Sequence, residues 1–161
     1  CVHNDYFVTS IHASPHSYAL AMIRMLAAGV PTFGMNLVIL PEPARAVLAA
    51  WLAFYNAQRT LFMTAREPQD NTLAVWQGGS ERAAWVAAIW NAREVKIPAA
   101  ARVTLMNGTA HPDLIVRIAR PRRMRVLARD FNLTVVRRGT VSVSDGLRIA
   151  VPSGGMVELG A

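Results

Sequence analysis

Before residue 64 the apolar positions recur at helical spacing twice. The first run opens at Pro15-His16-Ser17 and reaches about Ala28, with Leu20, Ile23, Leu26 and Ala27 on one face and Gly29 as a C-terminal stop. The second opens at Pro41-Glu42-Pro43, with proline in the first turn and an acid at the positive end of the helix dipole. Val47, Leu48, Trp51, Leu52, Tyr55 and Leu61 make its apolar stripe, and one long helix is expected between residues 40 and 62. Residues 30–40 lie between the two and are apolar over the length of a strand. Helix, buried strand, helix is the grammar of an α/β unit, whose other strands would precede Cys1.

After Ala65 the pattern changes to short, partly alternating apolar stretches. Strands are expected at 73–76, 83–90, 102–106, 114–118, 123–128, 133–138, 140–143, 147–151 and 156–159. Gly78-Gly79, Asn107-Gly108, Arg138-Gly139, Asp145-Gly146 and Ser153-Gly154-Gly155 read as the turns between them. Regular spacing of this kind predicts an all-β antiparallel sandwich over residues 65–161, following the helical residues 1–64.

Composition narrows the function classes. Of 161 residues, 53% are hydrophobic, ample for a core. The longest uncharged apolar run, Ala27 to Leu40, holds Gly29, Pro31, Gly34 and Asn36 and falls short of the ~20 residues of a membrane span, so no membrane is expected as partner. Cys1 is the only cysteine, which rules out an internal disulfide. The chain begins without Met or a signal-like leader and reads as a piece of a longer protein. Net charge is +7, and Lys96 is the only lysine among 17 basic residues, which points to a general arginine bias. The densest cluster is Arg117, Arg120, Arg122, Arg123, Arg125 and Arg129, with only Phe131 nearby as an aromatic. Strand alternation explains most of these as solvent-facing, and no nucleic-acid partner is expected.

Several blocks resemble the end of the catalytic barrel in α-galactosidase-like (melibiase-type) glycoside hydrolases. They are His3-Asn4-Asp5-Tyr6-Phe7, the run from Gly29 through Val30-Pro31-Thr32-Phe33-Gly34-Met35-Asn36 to Leu37, Leu40-Pro41-Glu42, and the segment from Trp51 through Phe54-Tyr55 to Arg59. The ending Val151-Pro152-Ser153-Gly154-Gly155 is similar to the close of the family's C-terminal β-domain. The resemblance implies an α/β barrel remnant at residues 1–64, made of helices and the last barrel strand, followed by the sandwich at 65–161. It implies a fragment of a retaining glycosidase with a carbohydrate substrate and no cofactor. The rest of the barrel, including the nucleophilic aspartate, would lie upstream. The alternative is a non-catalytic carbohydrate-binding or accessory β-domain with a helical leader.

A retaining mechanism needs two carboxyl groups about 5 Å apart, one attacking and one acting as acid and then base. Residues 1–64 hold two acids. Dipole compensation accounts for Glu42. Asp5 stands where a barrel strand should end, and the resemblance makes it the candidate general acid/base; the other reading is a solvated or capping aspartate. His3, His12 and His16 supply donors suited to sugar hydroxyls, of which His3 and His12 are the candidate substrate contacts; their spacing matches no strong metal motif and no metal is expected. Asn36, after the apolar run, suits a hydroxyl contact or a turn equally. The helical spacing of Trp51, Phe54 and Tyr55 assigns them to the core, and Trp76, Trp85 and Trp90 to early strands, packed or stacking on ligand.

Overall fold

The computed structural model describes residues 10–28, 30–64, 66–69 and 72–160. Helix α1 (Pro15–Ala28) begins where the proline predicts. Ser14 caps it, its hydroxyl accepting from the Ser17 backbone N–H at 3.2 Å. Tyr18, Ala19, Met22, Ile23, Met25 and Leu26 are buried, a stripe at spacings of three and four, while Arg24 faces water. Helix α2 (Glu42–Ala57) buries Ala44, Val47, Leu48, Trp51 and Tyr55. It ends at Gln58, whose backbone leaves helical geometry at φ −114° and ψ 16°. The chain then turns into α3 (Arg59–Met63). The long helix expected between residues 40 and 62 is therefore present as α2, but Leu61, expected in its stripe, belongs to α3. The break lets Phe62 turn back onto the core beside Phe54 and Tyr55, with ring centroids 5.8 and 5.6 Å away.

The expected buried strand at 30–40 is a second correction. Leu37–Ile39 is a 3-10 turn, and Val38 and Ile39 are 79% and 59% exposed. Asn36 supplies the local reason: its side-chain oxygen accepts from the Val38 N–H at 3.0 Å, which folds the backbone into a turn. Pro31 and Gly34 weaken strand formation in the same stretch. The chain is thus a few helices on a mostly β body, and that body is not purely antiparallel.

The strands are β1 (Arg66–Pro68), β2 (Val75–Gly79), β3 (Ala84–Ile89), β4 (Glu94–Lys96), β5 (Arg102–Asn107), β6 (Asp113–Arg117), β7 (Arg122–Arg129), β8 (Val135–Val143), β9 (Leu147–Ala150) and β10 (Met156–Gly160). One sheet has the order β1-β2-β3-β5-β10-β7-β8, the other β4-β6-β9. Two pairs are parallel, β3 with β5 and β4 with β6. The topology gives the reason. After β3 the chain crosses to the smaller sheet for β4 and returns for β5, so β5 runs the same way as β3; β4 and β6 repeat this from the other side. Short strands β1 and β4 carry too few residues to show a period, and the sequence reading missed both.

Alternation along the large sheet sorts its side chains into two cores. Trp85, Ala87, Ile89, Val103, Leu105, Val126, Val157 and Leu159 pack with Val95, Leu114, Val116 and Ile149 of the smaller sheet. Val86, Ala88, Met106 and Met156 point to the opposite face and pack with α1 and α2. Strand β3 is thus covered on both faces, which is why residues 83–90 read as an unbroken apolar run. Arg138-Gly139, expected as a turn, lies inside β8, where Gly139 pairs with Val126. Strand β8 forms one edge of the large sheet and exposes Val136, Arg137 and Arg138. Charges on an edge disfavour pairing with another chain.

Candidate functional site

Two connections converge at one end of the large sheet. Trp90, Asn91, Ala92 and Arg93 follow β3, and residues 108–112 follow β5. Between them lies a cleft of about 410 Å³ lined by Trp90, Asn91, Arg93, Thr109 and His111, with Ala92 and Ala110. Trp90 is held from three directions. Its indole N–H donates to the Leu73 carbonyl at 2.8 Å, its backbone N–H to the Ala74 carbonyl at 3.0 Å, and Gly108 N–H bonds the adjacent Ile89 carbonyl.

The opposite wall rests on Asn107, a fully buried polar residue at the end of β5. Its amide donates to the His111 and Val151 carbonyls at 2.7 and 2.8 Å. Its oxygen accepts from the Thr109 N–H and hydroxyl at 3.0 and 2.7 Å. The Thr109 hydroxyl in turn accepts from the His111 N–H at 3.1 Å. The Asn107 backbone bonds Gly154 and Gly155 of the turn before β10. Gly154 has φ +71°, and a Cβ there would stand 2.8 Å from His16. Sequence reasoning treated Asn107-Gly108 as a turn signal; nothing local to it reveals partners 44 residues away.

His16 Nε2 lies 3.1 Å from Ser153 Oγ, which looks at first like a nucleophile and its base. The hydroxyl's one proton is directed at the Thr109 carbonyl at 2.5 Å. Ser153 therefore accepts from His16, whose Nε2 carries the hydrogen, and the pair is structural. The imidazole packs edge-on against Phe131 at 5.7 Å.

Arg93 closes the cleft by gripping Asp113, with Nε and Nη2 donating to one oxygen at 3.2 and 2.8 Å. Arg148 approaches the other oxygen at 3.8 Å. The Arg93 hydrogen bonds hold the Asp113 carboxyl below the usual carboxylate range, against the opposing pull of desolvation. Hydrogen bonds from Arg117 likewise hold Glu94 low. A general acid needs the reverse shift, so neither group is suited to that work. The sign for stability follows. A depressed folded-state value means that the Asp113 contribution is present at neutral pH and lost as pH falls below about 4. Asp113→Asn should flatten the fall in unfolding free energy between about pH 5 and pH 2, measured by urea titration; an unchanged slope would mean that the pair contributes nothing.

Of the residues expected to form a site, Asp5 and His3 lie outside the described residues. His12 is exposed in the turn before α1, its backbone N–H bonded to the Ser10 hydroxyl. Asn36 spends its side-chain oxygen capping the 3-10 turn. Among the described residues no hydrogen bond joins His12 to Asn36, and neither lines the cleft. The stacked trio behaves as core: Trp51 and Tyr55 are buried and Phe54 packs against them. Arg122, Arg117 and Arg129 are engaged rather than merely solvent-facing; Arg122 donates to the Ala100 and Pro98 carbonyls, Arg117 pairs with Glu94 and Asp145, and Arg129 pairs with Glu158. Among the described residues no cluster of three metal-binding side chains occurs, and no helix is long and apolar enough to cross a membrane. No protein-family model, no curated protein and no solved structure matches the chain.

Proposed function

We propose that the chain is the carbohydrate-binding, non-catalytic part of a retaining glycoside hydrolase, with its sugar site in the Trp90–His111 cleft. The observation that carries this reading is the chemistry of the cleft lining. A partly exposed indole offers an apolar face to the C–H side of a sugar ring. Asn91, Arg93 and His111 stand around it with the mixed donors and acceptors that hydroxyl groups need. The volume falls within the ~300–1,000 Å³ of small-ligand sites. The exposed apolar turn Leu37–Ile39 suits contact with further protein, which on this reading is the rest of the parent enzyme. Catalysis then belongs to that remaining part of the enzyme and requires no cofactor.

The test is calorimetric titration of the chain with a panel of galactosides, glucans and mannans. At least one should bind, and Trp90→Ala should weaken it about tenfold or more, the usual scale for a central aromatic anchor. Because Trp90 also packs against the helix-side core, Asn91→Ala serves as a second, exposed variant and should weaken the same ligand. A chain that binds no member of the panel, or binding indifferent to both variants, would sink the reading. Hydrolysis of an aryl galactoside by the chain alone would overturn its non-catalytic part.

A further inference from the structure

The helices cover only part of one face of the large sheet. Met106 and Met156 lie under them. Alternation then puts Thr104 and Arg102 of β5, Glu158 and Gly160 of β10, and Arg125 and Leu127 of β7 on the same face, further along the strands. There the face opens into a cleft of about 480 Å³ whose charged lining is Arg102, Arg125, Arg138 and Glu158.

The register makes the arrangement specific. Arg102, Gly160 and Arg125 are partners across three neighbouring strands. Two arginines therefore stand two strand spacings apart, about 10 Å, with a residue lacking a side chain between them. A Cβ at Gly160 would meet nothing within 4 Å, so the floor between the guanidinium groups is open. Arg138 comes in from β8 opposite Leu127. The charges are not cancelled: Glu158 is taken by Arg129 at 3.1 Å, and among the described residues neither Arg125 nor Arg138 has an acidic partner. Arg102 is steadied by the Gln58 side chain at 3.5 Å, at the C-terminal end of α2, where the helix dipole favours a cation. Three like charges on a concave surface repel one another and focus a positive potential.

We propose that this cleft binds a sulfate or phosphate monoester, the oxyanion seated over Gly160 and gripped by Arg102, Arg125 and Arg138. A compact dianion matches the gap, and guanidinium forks suit its oxygens. No aromatic side chain lines the cleft, so an unpaired nucleobase would find no stacking platform, which sets a soluble ester above single-stranded nucleic acid. This site is separate from the Trp90 cleft and does not depend on the function proposed there.

Glucose 6-phosphate, glucose 6-sulfate and a short single-stranded DNA are titrated into the chain at low salt. At least one of the two sugar esters should bind and raise the melting temperature; which one separates phosphate from sulfate. Arg125→Gln should weaken that ester about 10–100-fold, the scale of a lost charge-assisted hydrogen bond. Arg125→Lys should fall between, because the charge stays while the fork is lost. Gly160→Val keeps every charge and fills the floor, and should also abolish binding. Arg24→Gln, on the exposed side of α1, removes one charge elsewhere and should change affinity less than twofold by general electrostatics. The proposal fails if neither ester binds, if DNA alone binds, or if Arg24→Gln weakens binding as much as Arg125→Gln. Full binding by Gly160→Val would also defeat it, since the attraction would then be diffuse. All three positions are exposed or partly so, and the variants are expected to keep the fold.

Discussion

Asn107→Ala should lower the unfolding free energy by about 3–5 kcal/mol, a large share of the ~5–15 kcal/mol that holds a typical domain. Four hydrogen bonds disappear with the side chain. The Val151 carbonyl and the Thr109 N–H lose their partner in the interior, and each such orphan costs about 1–3 kcal/mol. His111 is exposed, so water can reach its carbonyl and return part of the loss. That recovery is why the expected figure lies below the simple sum. Asn107→Asp should cost at least as much, because a carboxylate has no hydrogen to offer two carbonyl oxygens. Ser153→Ala, at the edge of the same network, should cost about 1 kcal/mol. Urea unfolding measures all three; a loss under 1 kcal/mol for Asn107→Ala would mean that the loops are held by other contacts. The effect reaches the proposed sugar site, since Thr109, Ala110 and His111 form one wall of the Trp90 cleft. Variants that remain folded should bind sugar more weakly though Trp90 is untouched.

Trp51→Ala should cost about 3–5 kcal/mol, the range for emptying a buried aromatic site. The indole is fully buried and edge-on to Phe54 at 6.0 Å. Its N–H donates to the Phe131 carbonyl at 2.9 Å, which ties α2 to the turn joining β7 and β8. Asp130 shapes that turn by accepting from the Asn132 and Thr134 N–H groups, both at 2.9 Å. Trp51→Phe keeps most of the ring contact but orphans a carbonyl, and should cost about 1–3 kcal/mol. The difference between the two variants separates packing from the hydrogen bond. If the helical layer rested only loosely on the sheet, both would cost under 1 kcal/mol and the helices would melt before the strands. One cooperative transition, seen alike by far-ultraviolet circular dichroism and tryptophan fluorescence, is the expected result.

Much of the fold was legible where local chemistry decides it. Both main helices start at their prolines, because proline is pre-set for the first turn and excluded further in. Strands β3, β5, β7, β9 and β10 lie close to the apolar stretches that predicted them. The misses have particular causes. Residues 30–40 have the apolar content of a strand, but the Asn36 cap and the interrupting Pro31 and Gly34 favour a turn there. Arg138-Gly139 resembles a hairpin turn between two short strands, yet the stretches on either side of it form one strand, β8, with Gly139 paired to Val126. The candidate site was hardly legible at all. Asn107, Thr109, His111 and Ser153 are ordinary loop residues in the sequence, and only the return of the chain through Val151–Gly155 makes them one network.

By itself, then, the order of the residues determined helix positions, most strands, an arginine-rich surface and the burial of Trp51 and Tyr55, all of which follow from propensity and period within a few turns of chain. Only the tertiary structure decided which strands are neighbours and in which direction they run. It also decided that β3 is covered on both faces, and that Arg102 and Arg125 face each other across Gly160. Those are choices of pairing between segments far apart in sequence. Side-chain periodicity states which face of a strand is apolar but not which partner will cover it, so the pairing is settled by the collective packing of two cores against a shared sheet.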